Sequence, residues 1–153
     1  MEFLEALEQL APIRALRVSF YIYPLVNAAH VLAIGVLLTS VLLMDLRIMG
    51  RLSAQPWRPF LKLMRRVGIV AFCGAFATGL LLFSVRAGEY FYNPAFRLKL
   101  LLIALAGLNL LALRVFASEA DGTPKEKGAS IFAGVSMALW LGVLVCGRFI
   151  GFL

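Results

Sequence analysis

One histidine stands out among the residues able to do chemistry. His30 lies inside a run from Val18 to Met44 that carries no charged side chain. An ionisable group within such a run is rare and by default a functional candidate. A neutral imidazole is a common ligand for haem iron and for copper. The competing reading is a histidine that hydrogen-bonds a neighbouring helix, and the residues alone leave both open. Tyr23 and Asn27 precede His30 at helical spacing and Ile34 follows it, so the four form one stripe expected to face protein. An imidazole facing hydrocarbon without a partner would cost several kcal/mol, on the order of a lost buried polar contact.

Lys99 is the second candidate. It sits near the start of a later apolar run, where a lysine either snorkels to the interface or supplies a fixed positive charge near His30. Such a charge would suit a carboxylate or propionate. Cys73 and Cys146 form no CxxC pair, and buried apolar cysteines are usually inert. Cys146 falls at a depth similar to His30 and is a weaker candidate for a second metal ligand. Asp45, Arg47 and Arg114 are expected to make ion pairs that tie helix ends together. Asn109 reads as interhelical glue, and Ala71, Ala75 and Gly79 as a packing face, with Gly147 and Gly151 as a second one. No phosphate-binding glycine loop, nucleophile elbow or paired carboxylates occur, so hydrolytic and nucleotide-dependent chemistry have no residues to use.

The elements that must position these residues follow from hydropathy. The 153-residue chain is 62% hydrophobic and 15% charged, with a mean hydropathy of +0.92. Its charges gather at the edges of long apolar runs, so the apolar surface must face lipid. Val18–Met44, Val67–Val85, Leu100–Leu113 and Gly128–Gly147 are free of charge. About 20 apolar residues cross the hydrocarbon core as a helix. The third run reaches that length once it is extended back to Pro94, with Asn93 as its cap and Lys99 and Arg114 snorkelling. The expectation is an all-α integral membrane four-helix bundle with spans at about 20–46, 61–86, 95–117 and 129–151. A β-barrel is excluded, because runs such as Leu80-Leu81-Leu82-Phe83 do not alternate. Residues 2–17 put Phe3, Leu4, Leu7 and Leu10 on one face and read as a short interfacial helix, reset at Pro12. The acidic start argues against a cleaved signal. Residues 51–60, 87–95 and 118–128 are expected to be loops.

Basic residues set the orientation. Arg14, Arg17, Arg86, Arg97, Lys99 and Arg148 fall on the side of the termini. Arg47, Arg51, Arg58, Lys62, Arg65, Arg66, Arg114, Lys125 and Lys127 fall on the other. This nine-to-six split places the first and third loops in the cytoplasm and both termini in the periplasm, in a bacterial inner membrane. The net charge of +7 then reflects topology and attraction to anionic lipid. A nucleic-acid partner has no support, since no folded domain carries a basic face.

Two blocks also carry a family resemblance: YPLVNAAHVLAIGVLLTSVLLMDLRIMGRL (Tyr23 to Leu52) and TGLLLFSVRAGEYFYNPAFRLKLLLIALAGLNLL (Thr78 to Leu111). They resemble the first three spans of a family of small bacterial four-span membrane proteins. The layout is similar to HemJ-type protoporphyrinogen oxidases and, more loosely, to the membrane domain of CopD-type copper-resistance proteins. The first resemblance implies haem b bound through His30, with Lys99 matching the family's span-three lysine. Arg114 stands where relatives place a histidine, so ligation by two histidines within one protomer is excluded. A Met or Cys ligand, a partner subunit or a five-coordinate iron would be required. Three functions follow as expectations: a haem-b redox or electron-transfer protein, a copper-handling protein using His30, and a non-catalytic anchor or assembly subunit. The expected associations are the bilayer with a second copy or a redox partner, and whether the chain is an enzyme stays open.

Overall fold

A computed structural model describes residues 8–116 and 126–152. It contains α1 (Ala11–Val18), α2 (Ile22–Ile48), α3 (Trp57–Val85), α4 (Ala87–Tyr92), α5 (Pro94–Phe116) and α6 (Glu126–Phe149), with no strand among the described residues. The fold is all-α, and α2, α3, α5 and α6 are each long and apolar enough to cross a membrane.

Local chemistry sets the ends of these helices. Asn93 Oδ1 accepts the Ala95 and Phe96 N–H groups at 2.9 and 3.1 Å, capping α5 as its sequence predicts. Gly50, at φ +78°, closes α2. The Gly50 N–H returns to the Arg47 carbonyl and the Arg51 N–H to the Leu46 carbonyl, the paired bonds of a glycine-terminated helix. Two expected loops are shorter than their composition suggested. Extended Pro56 starts α3 at Trp57 and Pro59 is accommodated in its first turn, so Arg58 lies on the helix. Residues 87–92 form α4. At the N-terminus the chain breaks at Gln9 and Leu10, ahead of Pro12, because proline is tolerated in the first turn of α1. The expected interfacial helix before Glu8 lies outside the described residues.

Small residues decide which helices meet. On the α2–α3 seam, a Cβ on Gly68 would sit 3.6 Å from Ser40 Cβ, and one on Gly74 would sit 3.7 Å from Ala33 Cβ. Ala71 is buried there with Leu37 and Val41. On the α5–α6 seam, a Cβ on Gly142 would approach Leu102 to 3.1 Å, and Asn109 Nδ2 donates to the Phe132 carbonyl at 3.0 Å. Gly151 has open space around it and takes no part in packing. Lipid is as apolar as leucine, so close backbone approach and interhelical hydrogen bonds, rather than hydrophobicity, hold such seams.

A lighter third seam joins α2 to α6, where Trp140 packs on the Leu37–Val41–Ala71 cluster. The order across the bundle is therefore α3, α2, α6, α5. Along their lengths α3 and α5 do not pack on each other. They meet through a stack at one end, where the Phe83 and Phe96 rings lie 5.4 Å apart and Tyr90 lies 5.9 Å from Phe96. The helix α1 packs across the same end, burying Ile13 and Leu16 against Val85, Tyr23 and Val26. Glu8 fixes it there by accepting the Gly88 N–H at 3.0 Å.

Candidate functional site

His30 lies on α2 about 12 Å from that helix's start, at ~1.5 Å rise per residue, and its ring is turned onto α3. Its Nδ1 is 2.9 Å from Thr78 Oγ1. The Thr78 hydroxyl has one proton, which it gives to the Gly74 carbonyl at 2.6 Å, one turn back along its own helix. With that proton at Gly74, Oγ1 is left to accept from His30, an arrangement that suits the tautomer protonated at Nδ1 with its lone pair at Nε2. The Ala75 carbonyl faces the ring as a further acceptor.

Gly79 makes room for this ring. A Cβ there would lie 3.0 Å from His30 Cε1, 3.7 Å from Nδ1 and 3.9 Å from Nε2. Of the spans that this face could meet, His30 leans on the second, because Thr78 offers the acceptor and Gly79 the space. Tyr23 is half-buried on the same face of α2, but Asn27 is exposed. The buried face runs through Tyr23, Val26, His30, Ala33 and Leu37, a three-then-four spacing, whereas the expected stripe stepped by four from Tyr23 to Asn27.

The remaining two spans close the neighbourhood. Lys99 on α5 lies within electrostatic range of His30 and of Cys146 on α6. Its stem and Nζ run 3.7 to 3.9 Å from the place a Cβ would take on Gly147. Among the described residues no hydrogen bond holds Lys99 Nζ. All four spans thus supply a residue to one polar patch in the terminal half of the bundle: His30, Thr78, Lys99 and Cys146. The patch has one cation, one nitrogen lone pair and one thiol. Among the described residues no three His, Cys, Asp or Glu side chains gather as a metal-ion site. Cys73 is exposed.

No known protein family, curated protein or solved structure matches this chain.

At the rim of the patch Tyr90 is half-buried and stacked on Phe83 and Phe96. Burial pushes its phenol above the usual tyrosine range, the facing Tyr23 hydroxyl adds to this, and Arg86 works against it. Two partners here were not foreseen from sequence. Thr78 gave a weak signal, a lone hydroxyl in an apolar run, and Gly79 was read only as packing.

The far ends of α2 and α5 depart from expectation. Asp45, Arg47 and Arg114 make no ion pair with one another. Arg47 Nε donates to the Gln55 carbonyl at 3.0 Å, and its guanidinium lies 4.8 Å from the Trp57 ring centre. Loop and aromatic partners satisfy the arginine at the interface, while Arg114 is exposed. Asp45 instead turns inward, where it is only 4% exposed.

Proposed function

We propose that this protein is a membrane-embedded redox or electron-transfer protein that binds haem b through His30 Nε2, in the half of the bundle nearest its termini. One observation carries the reading: His30 Nδ1 lies 2.9 Å from Thr78 Oγ1, whose own proton has an acceptor in the Gly74 carbonyl, an arrangement that suits the tautomer with its lone pair at Nε2. Metal-ligating histidines are held through their other ring nitrogen in this way. Gly79 keeps the ring seated, and Lys99 provides a positive charge suited to a haem propionate. A bound haem would supply one-electron chemistry; the chain would supply the ligating nitrogen of His30, the orientation of that ring and a desolvated surround. His30 is the only histidine, so any further ligand to a bound haem would come from another residue type, a small molecule, a second copy or a partner subunit. Copper handling, the alternative, needs several soft or imidazole ligands, and His30 with Cys146 would supply two. The excess of basic residues on the far side supports a bacterial inner membrane location with periplasmic termini.

The test is an absorption spectrum of protein made with haem precursor and purified in detergent. The wild type is expected to show a Soret band, lost in His30→Ala and shifted or weakened in Lys99→Ala. A wild type without a Soret band, a His30→Ala variant that keeps it, or bound copper in place of haem would each overturn the haem reading.

A further inference from the structure

We propose that the carboxyl of Asp45 is a proton-binding site on the α2–α6 seam, at the opposite end of the bundle from His30. Asp45 is the one buried charged-type side chain among the described residues, and its Oδ2 has no hydrogen-bond partner. Across the seam the Ser136 hydroxyl of α6 faces the carboxyl as a donor. Among the described residues no ion pair reaches it. Arg47 on its own helix is turned to Gln55 and Trp57. Lys62, Arg65 and Arg66 on α3 are exposed, and the ion pairs Arg17–Glu8 and Arg86–Glu89 lie at the other end.

A carboxylate oxygen that is buried, unpaired and without a cation is among the most unfavourable groups a protein can hold. Three occupants could relieve it. No basic side chain among the described residues pairs with it. A hard metal ion needs about six oxygen ligands, and this locus brings one carboxylate and one hydroxyl together. A proton needs only the one oxygen. It arrives from hydronium, an O–H bond forms at Oδ2 and water leaves, with no electron transferred. The neutral carboxyl can then keep Ser136 as its donor across the seam. Because α2 meets α6 only lightly, proton occupancy at Asp45 also bears on how the two halves of the bundle join.

This inference stands apart from the haem reading, and its test needs no cofactor. Infrared difference spectra are recorded on wild type, Asp45→Asn and Ser136→Ala in lipid nanodiscs. At neutral pH the wild type is expected to show a protonated-carboxyl stretch that disappears in Asp45→Asn. In Ser136→Ala the band should shift to higher frequency, because its hydrogen-bond donor is gone. Raising sodium at fixed pH should leave the band in place. Should Asp45→Asn fail to fold, the Ser136→Ala shift decides the matter. Identical carboxyl regions in wild type and Asp45→Asn, a band unmoved in Ser136→Ala, or bleaching by sodium would overturn the proposal.

Discussion

Replacing Gly79 by alanine puts the geometry around His30 to a direct test. In an ordinary helix interior the change stabilises, since glycine is about 1 kcal/mol worse than alanine. Here the added Cβ would lie 3.0 Å from His30 Cε1. The ring cannot retreat freely, because its Nδ1 is bonded to Thr78 at 2.9 Å and that hydroxyl is bonded to Gly74. Overpacking of this kind costs about 1–3 kcal/mol. Set against the helix gain, Gly79→Ala should be between neutral and about 2 kcal/mol destabilising. Gly107, whose Cβ would meet nothing within 4 Å, is the control, and its alanine variant should gain up to about 1 kcal/mol. Reversible unfolding in mixed micelles would measure both. The double variant His30→Ala with Gly79→Ala should recover the helix gain, because the ring that obstructs it is gone. If Gly79→Ala and Gly107→Ala stabilise equally, the ring does not rest on Gly79 and the argument for a seated His30 collapses.

Asn109→Leu should cost roughly 0.6–1.7 kcal/mol, the range for an interhelical hydrogen bond in a bilayer, since the Phe132 carbonyl loses the donor that reaches it at 3.0 Å; the same unfolding assay reads it. For Tyr90, whose phenol is raised in the fold by burial and by Tyr23, the neutral form is the one the fold favours. Its contribution is therefore complete below the unfolded tyrosine value of about 10 and is lost as pH rises through the higher folded value. Thermal stability should fall across that alkaline window in wild type and fall less in Tyr90→Phe. Equal alkaline sensitivity of the two proteins would place the titrating group elsewhere.

The spans were legible because charge is almost excluded from hydrocarbon, so the uncharged runs around His30, Ala75, Ala106 and Val143 mark helices without any periodicity argument. Asn93 was legible too, since a capping side chain acts locally. The facing of each helix was not. When lipid and protein interior are equally apolar, leucines do not form one stripe, and the polar residues must indicate the inner face. That guide misled at Asn27, which is exposed and sits at helical spacing from His30 by coincidence of register. It also failed at Asp45, where arginines nearby in sequence suggested an ion pair, but Arg47 finds its partners in the loop. The hydrogen bond from His30 to Thr78 spans 48 residues, and nothing local to either residue announces it.

The order α3, α2, α6, α5 has a consequence for how the chain is made. Each pair of close neighbours, α2 with α3 and α5 with α6, is also a pair of consecutive spans, so either hairpin can leave the translocation machinery with its tightest seam already formed. Assembly then reduces to docking two prefabricated units along α2 and α6. Two separately translated fragments, divided within the short connection 86–93 that holds α4, should find each other in the membrane and rebuild the His30 neighbourhood from both pieces.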